Sequence, residues 1–260
     1  MSKYVFDHAL ELEQQRLRKL EEWLDPGTTH YLEQIGVAAG WRVLEVAAGA
    51  GSIARVLSDR VGASGSVLAT DLDLKFLDDL ALPNVEVRKH DILSDELPAD
   101  TFDLVHTRLL LMHLPNREEA LKRMIAATKP GGFVFVEDME MMTWIDVTQS
   151  PAMDRVRSGM FKLFEMAGAN PYLGRTLPFM LDGAGLEDVW AEGRVAFGNR
   201  WDNPGLQQFK LMLMEMHDFL IGTGLVTTED LDESIRLIDD PAWQGMPPAV
   251  VAAYGRKPAP

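Results

Sequence analysis

Three observations in this 260-residue chain predict an α/β fold built on a doubly wound, mostly parallel sheet. The first is the stretch WRVLEVAAGAGSIARVLSDRVG. Val43, Leu44, Val46 and Ala47 form a strand pattern that runs into Gly49 and Gly51, and Ile53, Val56, Leu57 and Val61 at once take up helical spacing. The second is an alternation of strand and helix patterns that continues to Asp138 and ends in FVFVE, apolar on both faces as a buried parallel strand is. The third is where the chemistry-bearing side chains fall. Glu45, Asp71, Asp91, His106 and Asp138 all sit at or near the carboxyl ends of predicted strands, where open α/β sheets bind ligands.

Hydrophobic residues make up 47% of the chain, enough for a full core, and the length suits one domain of above-average size carrying an insertion or cap. Twenty-five basic residues against forty acidic ones give a formal charge of -15, with no basic block able to follow a phosphate backbone, which argues against a nucleic-acid partner. The lack of cysteine removes disulfides, thiolate metal sites and Cys nucleophiles together. The start MSKYVFDHALELEQQ is too polar for a signal peptide and no apolar run reaches the length of a membrane span, so a cytoplasmic location without a membrane partner is expected.

Taken in order, residues 1–40 are expected to form an N-terminal helical lid. An amphipathic helix from Asp7 to Leu24 stops at Asp25-Pro26-Gly27, and a shorter helix follows from Thr28 to Ile35. Residues 41–138 form the nucleotide-binding core. Its second strand, Val67 to Ala69, ends in Asp71, twenty residues beyond Gly51, where a ribose would meet an acceptor. Leu74 to Leu80 reads as a helix broken by Pro83-Asn84. Val85 to Arg88 is the third strand and Phe102 to His106 the fourth, and a helix from Arg117 to Thr128 closes on Lys129-Pro130-Gly131-Gly132 before the fifth. Residues 139–260 hold the rest of the sheet, with strands near Leu186 to Phe197 and Val250 to Arg256. They also carry an inserted helical cap that includes Pro151 to Ala167 and Leu206 to Leu220. Eleven of the fourteen Met residues lie after Asp138. Ordinary helix packing accounts for most individual Met, but their concentration in the cap argues for an adaptable apolar pocket for a small-molecule acceptor.

Gly49-Ala50-Gly51-Ser52-Ile53-Ala54 satisfies the dinucleotide pattern G-x-G-x-x-A, so an NAD-dependent oxidoreductase is one reading. Three neighbouring features oppose it. Glu45 places a carboxylate inside the first strand, which a pyrophosphate would repel and an ammonium group would welcome. Asp91-Ile92 supplies an acceptor and an apolar plate suited to an adenine amino group and ring face. The third is FDLVHTRLLLMHL, followed by a helix and KPGG.

From Val43 to Asp138 these residues resemble the class I S-adenosylmethionine-dependent methyltransferases. LEVAAGAG, ATDLD, HDIL, FDLVHTRLLLMHL and TKPGG follow in that family's order and spacing. The flanks, with YVFDHALELEQQRLRKLE, GANPYLGRTLP and VVAAYGRKP, are similar to a group of bacterial small-molecule methyltransferases. The chain departs from the commoner motif at Ala47 and Ala48, where Gly and Cys or Ser are usual. The resemblance implies a Rossmann-like methyltransferase sheet whose last strand is antiparallel, with N-terminal helices and a helical cap. It implies S-adenosylmethionine as cofactor and S-adenosylhomocysteine as product. Ala47, Gly49 and Gly51 would line the methionine part, with Glu45 on its ammonium. Asp71 would take the ribose hydroxyls with Leu72 beside the adenine, and Asp91 and Ile92 would take the adenine itself. His106 would lie near the sulfonium through its backbone.

The implied reaction moves an activated methyl in line to O, N or C of a small, partly apolar acceptor, mainly by positioning. If a base is needed, His113, Asp138 and His217 are the candidates, each with a structural alternative. Arg108, Trp144, Arg175 and Met216 are candidates for binding the acceptor. No metal site is expected, because HDILSDE has two loop acids without the further ligands a cation needs. A SAM-binding protein that does not methylate is a third reading, and the N-terminal helix could exchange contacts with a second copy in a homodimer.

Overall fold

The computed structural model describes residues 3–77, 79–195 and 203–259. Along the chain the elements are α1 (Lys3–Ile35), β1 (Arg42–Val46), α2 (Ser52–Val61), β2 (Ser66–Asp71), β3 (Val85–Lys89), β4 (Phe102–Arg108), α3 (Arg117–Ala127) and β5 (Thr128–Glu140). They continue as β6 (Ile145–Asp146), α4 (Pro151–Met166), α5 (Leu177–Gly183), β7 (Glu187–Arg194), α6 (Pro204–Glu215), α7 (His217–Gly222), α8 (Thr228–Ile238), β8 (Gly245–Met246) and β9 (Ala249–Arg256). Packing divides the chain into two units. The sheet unit is Asp25–Glu140, Tyr172–Arg194 and Val250–Pro260, and the helical unit is Met1–Leu24, Met141–Pro171 and Val195–Ala249.

The sheet unit holds seven strands in the order β3-β2-β1-β4-β5-β9-β7. Parallel pairing joins β1 to β2 and β4, β2 to β3, and β4 to β5, while the last strand, β9, runs antiparallel to β7 as expected. The order reverses at β1 and β4, which makes their carboxyl ends the switch point of the sheet.

Register and the two-residue strand period decide what each face carries. One face presents Val43, Val67, Leu104 and Phe133 in one row, then Ala69, Glu45, His106 and Phe135 in the next. Arg108 and Glu137 pair one step further toward the carboxyl ends. The face therefore changes from apolar to charged along the strands. Its apolar part is sealed by Tyr31, Leu32 and Ile35 of α1 and by Ile53, Ala54, Leu57 and Val61 of α2, all buried. On the opposite face the Thr70 and Thr107 hydroxyls donate to the carbonyls of Glu45 and Val46 and Asp138 is fully buried, while Glu86 and Arg88 of the edge strand β3 lie beside Leu68 and Thr70.

In the helical unit the helix starts are written in the sequence. Ser150 caps α4 and Asn203 caps α6, each followed by a proline in the first turn, and the Thr227 hydroxyl accepts the Asp230 N–H at the start of α8. Trp144 is buried and stacks on Phe209 at 4.9 Å, and Gly205 lies so close to the Trp23 ring that a Cβ there would come within 2.9 Å of it.

Three local expectations change. The predicted break at Asp25-Pro26-Gly27 is absent, and α1 runs on with Pro26 inside it. Proline loses one backbone hydrogen bond there, but side-chain bonds hold the same turn: Asp25 accepts from Arg108 and Ser52, and the Thr28 hydroxyl donates to Glu137. Leu74 to Leu80 forms turns at its described residues rather than a helix. Its Leu77 and Leu80 pack where a Cβ on Gly51 would stand, at 3.0 and 3.1 Å. The predicted helix Leu206 to Leu220 is two helices, α6 and α7, meeting at Met216. Of the strand predicted near Leu186 to Phe197, Glu187–Arg194 forms, and Phe197 lies outside the described residues.

The turn after β1 is built on left-handed backbone at three positions, Ala47 (φ 58°), Gly49 (φ 59°) and Gly51 (φ 81°). Glycine adopts this region freely, whereas the Cβ of Ala47 is strained by about 1 kcal/mol. Ala47→Gly is expected to raise unfolding free energy by up to about 1 kcal/mol, and Ala47→Val to lower it by about 2 kcal/mol. Urea unfolding midpoints check both.

Candidate functional site

The glycine turn and the end of β2 close on each other through Asp71. Its Oδ2 accepts the Gly49 N–H at 2.9 Å and its Oδ1 accepts the Asp73 N–H at 3.1 Å. This carboxylate therefore organises the turn. Leu72, next to it, is 61% exposed, unusual for a large apolar side chain at the mouth of a sheet. After β3, Asp91 Oδ1 accepts the Leu93 N–H at 2.9 Å and the Asp91 N–H donates to Asp95 Oδ2, so a short Asx turn fixes Asp91 while Ile92 is buried beneath it. The His90 N–H donates to the Asp71 carbonyl at 3.0 Å, tying the two acidic positions together.

A buried charged cluster occupies the carboxyl ends of β1, β4 and β5. His106 Nδ1 lies 2.6 Å from Glu45 Oε2, and its Nε2 lies 3.2 Å from Glu137 Oε2. Glu137 also accepts from the Thr28 hydroxyl at 2.6 Å. Arg108 donates to Thr28 at 3.0 Å and pairs with Asp25 at 2.9 Å, and Asp25 accepts from Ser52, the first residue of α2, at 3.1 Å. Burial alone would depress the His106 pKa, but the charge of Glu45 and the hydrogen bonds to Glu137 and Glu45 outweigh it and raise the value to about 9. The His106 side chain is thus the centre of this buried cluster.

Glu137, Thr28, Asp25 and Ser52 are members that reading the sequence did not single out. The period-2 pairing of His106 with Arg108 and of Phe135 with Glu137 carried a signal for Glu137. Nothing local marks Thr28, 109 residues from its partner.

The other singled-out residues stand apart from this cluster. Asp138 is on the opposite sheet face, fully buried, with Oδ2 accepting the Met112 N–H at 3.3 Å. His113 ends a 3-10 turn, Leu111–His113, and reaches solvent, while the protein around it disfavours its charged form and lowers its pKa. Arg175 is held by Glu140 through two bonds of 2.6 and 2.5 Å, so its charge is already matched. Trp144, Met216 and His217 belong to the helical unit. Trp144 is buried in the aromatic stack, Met216 is half-buried at the junction of α6 and α7, and His217 lies at the surface 3.1 Å from both Asp218 and Asp232.

Burial raises the Asp138 carboxyl to about 8 despite hydrogen bonds from Met112 and Leu111. Its folded pKa is above the unfolded value, so the folded state binds the proton more tightly. The stability so gained is present in acid and is lost as pH rises from about 4 toward 8. Asp138→Asn keeps the shape and removes the proton. The variant's stability, measured by urea unfolding, is expected to flatten over that window relative to wild type, whose slope approaches about 1.4 kcal/mol per pH unit.

Comparison with known proteins agrees with this fold. A methyltransferase-domain profile matches residues 43–132, the segment from β1 to the start of β5. The methyltransferase str3 of Strobilurus tenacellus is 29% identical over 59% of this chain and 55% of its own length. The ubiquinone/menaquinone biosynthesis C-methyltransferase UbiE of Pseudomonas savastanoi is 32% identical over 43% of this chain and 47% of its own. The chain thus spans about half the length of these curated relatives. The crystal structure of a SAM-dependent methyltransferase from Aquifex aeolicus superposes with a TM-score of 0.51 at 22% identity, covering 73% of this chain and 92% of that one, a likeness of fold. With Glu45, the glycine turn, Asp71 and the seven-stranded sheet in one frame, residues 43–132 match a methyltransferase domain and the chain is similar to S-adenosylmethionine-dependent methyltransferases.

Proposed function

We propose that this chain transfers the methyl group of S-adenosylmethionine to O, N or C of a small, partly apolar organic acceptor by in-line displacement. The observation that carries this reading is a single glycine turn with a buried carboxylate, Glu45, on its strand side and Asp71 across it. The residues fit the cofactor. A Cβ on Gly49 would meet nothing within 4 Å, so the turn is open on that side, and the exposed Leu72 offers an apolar surface for a nucleoside to cover. Glu45 suits an ammonium group and opposes the pyrophosphate of a nicotinamide dinucleotide.

The bound cofactor supplies an electrophilic methyl on a sulfonium. The chain's part is to bind, orient and exclude water. In this reading Asp71 accepts from the ribose hydroxyls and Leu72 packs beside the adenine. Asp91 accepts from the adenine amino group and Ile92 supports its face. The backbone at Ala47, Gly49 and Gly51 follows the methionine part, Glu45 accepts from its ammonium and His106 stands behind Glu45. His113, whose charged form burial disfavours, is the candidate base in this reading if a hydroxyl or ammonium acceptor must lose a proton. Residues 1–40 act as a lid and the helical insert of 139–260 as the acceptor-binding part. UbiE being a C-methyltransferase supports keeping carbon among the acceptor atoms.

The test is turnover with methyl-labelled S-adenosylmethionine and a panel of small aromatic and aliphatic alcohols, amines and activated carbons. Label is expected in an acceptor, with S-adenosylhomocysteine accumulating in step. Asp71→Asn is expected to weaken S-adenosylhomocysteine binding by about 10- to 100-fold. Tight NAD binding with no S-adenosylmethionine binding would overturn the reading, and binding without methyl release would point to a non-methylating member.

A further inference from the structure

Position 106 lies in the central strand β4, in a row that otherwise carries Ala69 and Phe135 beside Glu45. A histidine here is wholly buried, and its ring packs against Phe135 at a centroid distance of 4.6 Å. A buried histidine with a purely structural role is satisfied by one donor and one acceptor. Here both ring nitrogens face carboxylate oxygens, Glu45 from β1 and Glu137 from β5. A neutral imidazole has one N–H, and its bare nitrogen would face the second carboxylate lone pair to lone pair, so the arrangement calls for the imidazolium. Beyond it stand Thr28 on Glu137, then Arg108 and Asp25. The far end of the chain of contacts is thus pinned to α1, and the near end is Glu45, the acid of the glycine turn.

We propose that the His106 side chain is the positioning residue of the cofactor site: by bridging Glu45 and Glu137 it fixes the direction in which the Glu45 carboxylate meets the cofactor's ammonium group. The inference rests on the reading of Glu45 as that acceptor. A bond from His106 Nδ1 to Oε2 stops the Glu45 carboxylate from rotating, so its other oxygen is presented in one direction before the cofactor arrives. Without the imidazolium, Glu45 and Glu137 are two buried acids with no cation between them. Glu45 then gains by turning away from Glu137, and the carboxylate is no longer held in the one direction that an ammonium requires.

The test compares two ligands on the full-length chain by calorimetry at neutral pH. S-Adenosylhomocysteine carries the amino acid, whereas 5′-methylthioadenosine has the same nucleoside and thioether without it. In His106→Gln the affinity for S-adenosylhomocysteine is expected to fall by about tenfold or more while that for methylthioadenosine stays within about twofold. A general distortion of the site would lower both alike, and either that result or no change in either affinity overturns the inference while leaving the cofactor reading intact. If His106→Gln does not fold, the imidazole nitrogen resonances of the wild-type protein decide. Both nitrogens are expected to be protonated, and to shift on adding S-adenosylhomocysteine but not methylthioadenosine. The same response to both ligands overturns the inference. A wild-type chain that binds neither ligand removes the cofactor reading itself, and this inference with it.

Discussion

Glu45, His106 and Glu137 are buried together at the carboxyl ends of three neighbouring strands, and the surrounding structure is arranged to keep those charges paired away from water. Removing one partner from such a set leaves an uncompensated charge, which typically destabilises a protein by about 3–5 kcal/mol. The constraint explains contacts that otherwise look unrelated. Thr28 reaches Glu137 from α1, Arg108 extends two residues beyond His106 to Asp25, and Asp25 reaches the first residue of α2. A helix that carries Pro-Gly in its interior stays continuous because its side chains complete this cluster.

The same end of the sheet stores backbone strain. Ala47 holds a left-handed conformation at the point where β1 turns into the glycine loop, and Leu109 does so just after β4. Both flank the charged row, and the Leu109 N–H donates to the carbonyl of Glu137. Strained backbone beside buried charge is tolerated where the surrounding packing over-determines it. Here that packing is the apolar half of the same sheet face, closed by Tyr31, Leu57 and Phe135.

The strands were legible because a parallel strand buried on both faces has to be apolar, and because glycine turns punctuate them. The ends that bear carboxylates were legible for the same reason, since an acid within such a run stands out: Glu45, Asp71 and Asp138 are all visible as interruptions. What the chain hides is pairing over distance. That Glu45 and Glu137 share one histidine depends on the strand order, in which β4 lies between β1 and β5, and no local pattern states that order. Similarly, Asp25-Pro26-Gly27 reads as a stop by propensity, and tertiary bonds made by residues on either side override it. Arg175 is a candidate for binding the acceptor by residue type alone, and only its partner Glu140, 35 residues away, shows that its charge is already matched.

In the proposed reading the glycine turn, the charged row behind it and Asp71 across it together hold an adenosine at one side and an amino acid at the other. The measurement that tests this most directly is a crystal structure of the chain with S-adenosylhomocysteine bound. It is predicted to place the ligand's amino nitrogen within hydrogen-bond distance of the Glu45 carboxylate, with the bond from His106 to Glu45 intact and Asp71 on the ribose hydroxyls. A ligand whose amino group is met by backbone carbonyls alone, or a nucleoside lodged away from Asp71, would contradict the account.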